Sequence, residues 1–257
     1  MKAVPTSSWH VRSNKISTAL RDGLPRFREP KSLRPMKNMR ALAATMAEVR
    51  PPDTQAFDWR NRNAVPPARD QGSCSTCSSF AIATTIETLH FIKTGKTVSL
   101  APGFIHSCLM GLPCEQGADL MDSVDAVCAH GAAYGFTGDY PFPIDQCNIR
   151  VLYAVKQRVP LLSANEAMNA VLNTGPFVAS MLIDPAFIRL PKAAIYRLKD
   201  RDSARLHSVS VIGYDQSNEC WIIANSFGPR WGDGGFAKVS FGDDAPMGGR
   251  CGWQLLL

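Results

Sequence analysis

Hydrophobic and polar positions follow a helical period in the first half of the chain. Apolar residues recur every three or four positions in two stretches, which predicts one helix beginning at Cys77 and a second near 119–130. Thr76 is a candidate N-cap for the first helix, and Gly95 and Gly131 are candidate stops. The predicted apolar faces consist of Phe80, Ala83, Ile86, Leu89, Leu120, Val124, Val127 and Cys128.

In the second half, runs of β-branched and aromatic residues are separated by Gly, Pro, Asp and Asn, a pattern typical of strands. One helix interrupts these runs and opens with the capping-box sequence Ser163-Ala-Asn-Glu166. A helical lobe followed by a β lobe predicts an α+β fold with a cleft between the lobes, where ligand sites are often found. The predicted strands are 177–183, 207–214, 220–226, 235–241 and 251–257.

The composition is that of an ordinary folded domain. The chain has 257 residues, of which 45% are hydrophobic and 19% are charged, so it can bury a substantial core. No run approaches the roughly 18 consecutive apolar residues of a membrane helix, and we therefore expect no membrane span.

Positive charge is concentrated near the amino-terminal end. Residues 1–50 contain 11 Lys or Arg and 3 Asp or Glu, whereas the rest of the chain contains 17 and 19. This asymmetry and the sequence PPD at 51–53 predict an appended basic segment, residues 1–53, before a globular domain at 54–257. Because aromatic residues do not interleave with the basic ones, we expect no nucleic-acid partner.

The 8 cysteines favour disulfides over a metal site. There is a single C-x-x-C pair, Cys74 and Cys77, with no second pair or histidine pair to complete a zinc site. A disulfide framework indicates secretion or another oxidising compartment. The amino-terminal sequence shows no apolar stretch of the kind that a secretory signal needs, so export by another route or prior removal of a signal would reconcile the two observations.

Cys77 lies at the first turn of the first predicted helix. Unpaired backbone N–H groups and the positive end of the helix dipole favour a thiolate there, which is the nucleophilic form of cysteine. Taken alone, Cys77 could equally be a disulfide cysteine or a buried apolar residue.

Three separated motifs resemble those of a known family. The sequence DQGSCSTCSSFA at 70–81, preceded by FDWRNRNAVPPARDQG, resembles the nucleophile motif and mature amino terminus of the papain family of cysteine peptidases. His207 in LHSVSVIGYD and Asn225 in WIIANSFGPRWGDGGF resemble the other two motifs and follow Cys77 by 130 and 148 residues. The resemblance covers about residues 56–257.

The resemblance implies a papain-like two-lobe fold, with a helical first lobe, an antiparallel β-barrel-like second lobe and the active-site cleft between them. It implies a cysteine endopeptidase that acts on peptide or protein substrates through a thioester acyl-enzyme, without metal or cofactor. Cys77 would be the nucleophile, His207 the general base and acid, and Asn225 the residue that orients the imidazole. Gln71 and the Cys77 backbone N–H would stabilise the oxyanion. We also expect a monomer.

The resemblance further implies a substrate-binding surface made by Gly117, Ala118, Asp119, Leu206, Trp231 and Leu256. Gly117 would pair its backbone with extended substrate, a close approach that suits a residue without Cβ. Leu256 would form the floor of the pocket for the second residue before the scissile bond, with Ala118 and Asp119 near its wall. A leucine floor favours an apolar side chain, whereas Asp119 would instead admit Arg or Lys.

Disulfide pairing is also carried over from the family. The family's third bridge uses a cysteine matching Cys251, whose usual partner position has no cysteine here, and Cys220 is a candidate substitute. Cys128, on the apolar face of its helix, is expected to be a free buried thiol. The two implied pairs are Cys74 with Cys114 and Cys108 with Cys147.

Three positions depart from the family motifs. Ser78 and Phe227 replace tryptophans, and Leu206 replaces the aspartate that precedes the histidine in papain. None of the changes removes a catalytic atom, but they affect the shielding and ionisation of the Cys–His pair. Two other functions therefore stay open, namely a binding or decoy protein without activity and an acyl transferase or amidase with the same triad.

Residues 1–50 lack the long helix of typical family pro-regions and are about half their usual length. We expect a short inhibitory segment that lies across the cleft, because a tethered segment reaches effective concentrations of about a millimolar. Trp9 or Phe27 would serve as its apolar anchor. A secretion or targeting tail is the alternative interpretation.

Overall fold

A single mixed arrangement of helices and strands appears in the computed structural model, which describes residues 49–135, 147, 153–242 and 252–257. Its helices are α1 (Cys77–Thr94), α2 (Leu120–His130), α3 (Ala164–Asn173) and α4 (Pro185–Ile188), with a 3-10 turn at Trp59–Arg62 and a π-helical turn at Phe104–Leu109. Its strands are β1 (Ala56–Asp58), β2 (Gln157–Leu161), β3 (Phe177–Ile183), β4 (Ile195–Tyr196), β5 (Arg205–Asp215), β6 (Cys220–Ala224), β7 (Phe236–Ser240) and β8 (Gly252–Leu256).

The strands form one sheet in the order β2-β8-β3-β5-β6-β7-β4, and β1 also pairs with β5. The pairs are antiparallel except β4 with β7. The predicted α+β class is confirmed, and the mostly antiparallel strands form a sheet that does not close into a barrel. Within the described residues, the end strands β2 and β4 each pair with a single neighbour. Pro160 in β2 has no N–H to donate to a further strand, which suits an edge position.

The two faces of the sheet are covered by different helices. Alternate side chains of a strand point to opposite faces, so β3 contributes to two cores. Val178 packs in the first core with α1 and α2, whereas Phe177 and Met181 pack in the second core with α3. In the same register, Ser210 of β5 faces α1, where its Oγ lies 2.7 Å from Oγ1 of Thr85.

Helix ends follow the capping residues that the sequence indicates. Gly95 adopts a positive φ of 68° and ends α1. The Ser163 hydroxyl accepts a hydrogen bond from the Glu166 N–H at the start of α3, while the Glu166 carboxylate accepts from the Leu162 N–H (2.7 Å). Thr76 occupies the N-cap position of α1, but its side chain makes no capping hydrogen bond. No helix within the described ranges is long and apolar enough to cross a membrane.

Candidate active site

Cys77 is the first residue of α1 and is partly exposed at the boundary between this helix and the sheet. The preceding loop is fixed at several points. The Gln71 N–H donates to the Ser226 carbonyl (2.8 Å), and the Ser75 N–H donates to the Cys114 carbonyl (2.7 Å). The Cys74–Cys114 disulfide holds the same two segments together. The thiol is thereby held at a helix amino terminus, where the dipole favours negative charge.

The Cys77 thiol has a pKa below its ordinary value of 9.0. Burial of the sulfur acts in the opposite direction and is the largest single effect, because desolvation disfavours the thiolate. The hydrogen bond and the charge of His207, together with hydrogen bonds from the Ser208 backbone and side chain, outweigh it. The site therefore favours the nucleophilic form of this cysteine.

We expect Ser208→Ala to raise the pKa of Cys77, because the variant loses the hydroxyl that hydrogen-bonds to the sulfur. The thiolate would then predominate over a narrower pH range. The pH at which Cys77 reaches half its maximal rate of alkylation by iodoacetamide would therefore be higher. Ser210→Ala is the matched control, since Ser210 lies on the same strand but bonds to Thr85. An unchanged midpoint in Ser208→Ala would contradict this assignment of the hydroxyl.

His207 and Asn225 form a buried pair beside Cys77. His207 Nε2–H donates to Asn225 Oδ1 at 2.7 Å, and both residues are less than a tenth exposed. Because Nε2 is engaged, Nδ1 is the ring nitrogen left for the hydrogen bond with Cys77. The amide oxygen can only accept a hydrogen bond, so Asn225 selects the tautomer that carries a proton on Nε2.

Aromatic side chains enclose the imidazole. The ring of Phe227 lies 4.9 Å from that of His207 and the ring of Phe187 lies 5.8 Å away, measured between centroids. Trp231 packs against Phe187 and donates its indole N–H to the Phe187 carbonyl (3.0 Å). Phe227, where the family motif has tryptophan, therefore still shields the histidine and excludes water from its hydrogen bond to Asn225.

Asp184, which no sequence motif indicated, fixes the position of Phe187. The buried Asp184 carboxylate accepts hydrogen bonds from the N–H groups of Ala186, Phe187, Lys199 and Asp200, at 2.8–3.3 Å. Burial raises the pKa of Asp184, but these four bonds outweigh it and hold the pKa below its ordinary value. The resulting turn places Phe187 against the histidine.

Gln71 lies close behind the nucleophile and is buried. Its Nε2 donates to the Cys74 carbonyl (2.6 Å), and its Oε1 accepts from the Ser226 hydroxyl (2.6 Å). A side-chain amide has two N–H donors, and only one of those of Gln71 is used by Cys74. The orientation of the amide is thus set from both ends.

The three residues at 117–119 lie on the loop that the Cys74–Cys114 disulfide holds against the nucleophile loop. Gly117 is exposed, and a Cβ at this position would lie 3.8 Å from Ser75. Ala118 is partly exposed. The Asp119 carboxylate caps α2 by accepting hydrogen bonds from the N–H groups of Met121 and Asp122. Its charge is therefore already balanced in part by the helix dipole.

Leu256 does not lie with the other predicted site residues. In the sheet, His207 is opposite Met181, and Gln254 is opposite Phe177. Leu256 lies beyond Gln254, so it is displaced along the strands by about six residues, or roughly 20 Å, from the level of His207. Leu206, by contrast, precedes His207 and is partly exposed beside it.

A second contact supports the same placement of Leu256. Lys93, near the carboxyl-terminal end of α1, donates to the carbonyl of Leu257 (3.0 Å). Cys77 lies at the other end of this helix, about 24 Å away at 1.5 Å per residue. The family resemblance implied that Leu256 forms the floor of a substrate pocket, but strand β8 begins at Gly252 and carries the following residues along β2, away from the nucleophile.

Two disulfides lie in the described part of the chain, Cys74–Cys114 and Cys108–Cys147. Cys128 is a free thiol, but it is partly exposed rather than buried as predicted, because it lies at the edge of the apolar face of α2. Cys220 is a free buried thiol, so it does not provide the third bridge. Cys251 lies outside the described residues.

Buried hydroxyls line the α1 side of the site. Besides Ser208, these include Ser180, whose Oγ lies 3.4 Å from that of Ser208. Ser78, the residue in place of the family tryptophan, is fully buried and accepts a weak hydrogen bond from Ser123 (3.4 Å). In the sequence LHSVSV, the alternation of serine and valine puts Ser208 and Ser210 on one face of the strand, and this pattern could have indicated the buried hydroxyls. In the described part of the chain, no group of three or more His, Cys, Asp and Glu residues could hold a metal ion.

Comparison with known proteins identifies the family. A sequence model described as "Papain family cysteine protease" matches residues 53–254, and the chain belongs to this family. Cysteine endopeptidase Rep1 of Oryza sativa subsp. japonica is 30% identical over 212 residues, covering 77% of this chain and 56% of that protein. A cathepsin L-like peptidase of Aedes aegypti is 29% identical over 215 residues, covering 79% of this chain and 62% of that protein. The chain thus spans about six tenths of the length of these relatives.

Solved structures show the same fold. The bromelain protease from Ananas comosus superposes with a TM-score of 0.64 at 21% sequence identity, covering 79% of this chain and 99% of that one. Digestive procathepsin L 3 from the larval midgut of Tenebrio molitor superposes with a TM-score of 0.66 at 21% identity, covering 82% of this chain and 72% of that one. The papain-like fold that the sequence motifs implied is confirmed.

Proposed function

We propose that the chain is a cysteine endopeptidase that hydrolyses peptide bonds in extended substrates. The observation that carries the proposal is the hydrogen-bonded series Asn225–His207–Cys77, which ends on a thiol of lowered pKa at a helix amino terminus. A nucleophile, a base and a third group that orients the base are the parts that acyl transfer requires. Family membership supports the same reaction.

In the first step the Cys77 thiolate attacks the scissile carbonyl carbon, and the carbonyl electron pair moves to the oxygen. When the tetrahedral intermediate collapses, the C–N bond breaks and the His207 imidazolium gives its proton to the leaving amine. The product is a thioester on Cys77. His207 then takes a proton from water, whose oxygen attacks the thioester, and the acid product and Cys77 thiolate are released.

The oxyanion of both tetrahedral intermediates would lie near Gln71 and the start of α1. One Gln71 amide hydrogen is engaged by Cys74, which leaves the second as a donor whose direction is fixed by Ser226. The Cys77 backbone N–H belongs to the first turn of the helix, where N–H groups have no partner within the helix. These two donors would be in position before charge develops.

Gln71→Ala is expected to lower kcat by about 10²-fold with little change in KM, because the lost donor acts mainly on the transition state. Steady-state kinetics on a fluorogenic peptide measure both constants. Gln71→Glu keeps the size of the side chain but replaces the N–H donors with an acceptor, and it should show a loss at least as large. An unchanged kcat in both variants would remove Gln71 from the mechanism.

Because Leu256 lies far along the strands from His207, we base our proposal for substrate selection on other residues. Leu206 is a partly exposed apolar residue that precedes His207 in β5, and Ser180 and Ser208 are small hydroxyl residues beside the nucleophile. Asp119 uses its carboxylate to cap α2. We therefore expect an uncharged substrate residue near Leu206 to be preferred over Arg or Lys bound by Asp119.

A digest of a peptide library, read by mass spectrometry, tests the endopeptidase proposal and the preference together. Cleavage at internal bonds that disappears in Cys77→Ala is the expected result. Transfer of acyl groups to added amines without hydrolysis would replace the proposal with an acyl transferase. A chain that cleaves nothing and is not labelled by thiol probes would be a binding or decoy homologue.

The division of the chain belongs to the same proposal, with residues 54–257 as the peptidase domain and residues 1–53 as an appended segment. The two disulfides favour an oxidising compartment and a secreted or similarly exported protein. We further propose that the basic segment inhibits the enzyme as a short pro-segment. Its residues 1–48 lie outside the described part of the chain.

Deletion of residues 1–48 is expected to raise the turnover of a small peptide substrate several-fold, because a tethered occupant of the cleft is removed. The matched control adds a synthetic peptide of residues 1–48 back to the shortened chain, which should restore inhibition. Equal turnover before and after deletion, with no effect of the peptide, would instead identify a targeting tail.

A further inference from the structure

The segment that joins the basic region to the domain, residues 49–55, is bound along the surface; we call it the strap. Asn165 Nδ2 donates to the Val49 carbonyl and Asn169 Nδ2 donates to the Arg50 carbonyl, both at 2.9 Å. Gln216 Nε2 donates to the carbonyls of Pro52 (3.0 Å) and Thr54 (2.9 Å). The strap is therefore bound to the domain through its backbone carbonyls.

The strap is held further where it meets the sheet. The hydroxyl of Tyr214, a fully buried residue, donates to the Thr54 carbonyl (3.1 Å). The Gln216 N–H donates to the Gln55 carbonyl (2.8 Å), and β1 then continues the pairing with β5. Of the seven strap carbonyls, five accept a hydrogen bond from the domain.

The two donors on α3 lie side by side, and the Asn169 side chain has a second hydrogen-bond partner. Asn165 and Asn169 are four residues apart, so they lie on one face of the helix, one turn after the other. Asn169 Nδ2 also donates to the Asn165 carbonyl (2.8 Å), and Asn173 Nδ2 donates to the Asn169 carbonyl (3.0 Å). Every donor from the domain to the strap meets a backbone carbonyl, so the contact depends on the path of the strap and little on its side chains.

A bound strap limits where a protease can cut. Proteolysis needs several consecutive residues that leave the protein surface and enter the cleft of the protease, and this requires local opening. Opening a run of several residues within 49–55 breaks two or more of the six hydrogen bonds that join the strap to the domain. The two prolines at 51 and 52 also restrict the backbone.

We propose that the surface made by Asn165, Asn169, Tyr214 and Gln216 is a docking site for the strap that sets the proteolytic processing boundary. Cleavage that releases the basic segment falls before Val49, and the processed protein retains residues 49–55. The proposal concerns the accessibility of the chain to any protease, so it does not depend on the activity proposed above.

Limited proteolysis with subtilisin tests the proposal on the full chain carrying Cys77→Ala, which excludes self-cleavage. Intact-mass measurement of the resistant product should give an amino terminus at or before Val49. Adding Asn165→Ala and Asn169→Ala should make cleavage within 49–55 about tenfold faster. Asn173→Ala is the matched control, because this residue lies on the same helix but donates only to Asn169.

Two outcomes would overturn the proposal. One is that the Cys77→Ala parent is cleaved within 49–55 as fast as the variant that also carries Asn165→Ala and Asn169→Ala. The other is equal acceleration by Asn173→Ala, which would mean that helix stability rather than strap contact controls cleavage. Gln216→Ala, which removes two bonds to the strap outside α3, provides an independent variant if the double replacement lowers the melting temperature of the whole domain.

Discussion

Cys77→Ala is expected to reduce peptide turnover by about 10⁴-fold or more, because the variant lacks the atom that forms the acyl-enzyme. The fold should be retained, since Cys77 is partly exposed and belongs to no hydrophobic core cluster. Initial rates on a fluorogenic peptide and the thermal midpoint of unfolding measure the two effects separately.

Cys128→Ala is the matched control for this prediction, because Cys128 is also a partly exposed free thiol. Burial and the nearby charge of Asp125 raise the pKa of Cys128. At neutral pH this cysteine is therefore protonated, which is its less reactive form. Full activity in Cys128→Ala beside none in Cys77→Ala supports the assignment. Comparable activity in both variants would place the nucleophile elsewhere.

His207→Ala is expected to cost nearly as much turnover as loss of the nucleophile. The variant removes the proton donor for the leaving amine, and it also removes the hydrogen bond and charge that lower the pKa of Cys77. Without His207 the pKa of the Cys77 thiol rises, and less thiolate is present at neutral pH. The pH dependence of Cys77 alkylation in the variant should therefore move to higher pH.

Because the two residues act as one unit, adding His207→Ala to Cys77→Ala should cause little further loss. His90→Ala is the control, since His90 lies elsewhere on α1 and hydrogen-bonds to Tyr153. A His207→Ala enzyme that keeps most of its turnover would show that another group serves as the base.

Local patterns were sufficient to predict the elements that position the site. The helical spacing from Phe80 to Leu89 and the stop at Gly95 predicted α1, and the run FVASMLI predicted β3 with its observed bounds. Three motifs predicted that Cys77, His207 and Asn225 would meet, and hydrogen bonds join them in the structure. Periodicity and the residues within each motif carry this information because both are local properties of the chain, whereas the meeting of the three motifs was implied by the family resemblance.

Features that depend on distant contacts were not predictable in the same way. The register of β8 against β2 and β3 removes Leu256 from the cleft, and the resemblance of the last strand to the family could not reveal that register. The Asp184 carboxylate accepts hydrogen bonds from the N–H groups of Lys199 and Asp200, and Asn165 and Asn169 donate to the strap, so these bonds join separate segments of the chain. Sequence periodicity also predicted a buried Cys128, whereas this residue lies at the edge of the apolar face of α2 and is partly exposed.

Mapping the adduct of an epoxysuccinyl thiol probe by mass spectrometry tests the central claim most directly. Three free thiols, Cys77, Cys128 and Cys220, lie in the described part of the chain, and the pKa is lowered at the first and raised at the other two. We predict a single adduct on Cys77 at neutral pH, and its loss in His207→Ala. Labelling of Cys128 or Cys220 instead, or no labelling of the native chain, would contradict the proposed active site.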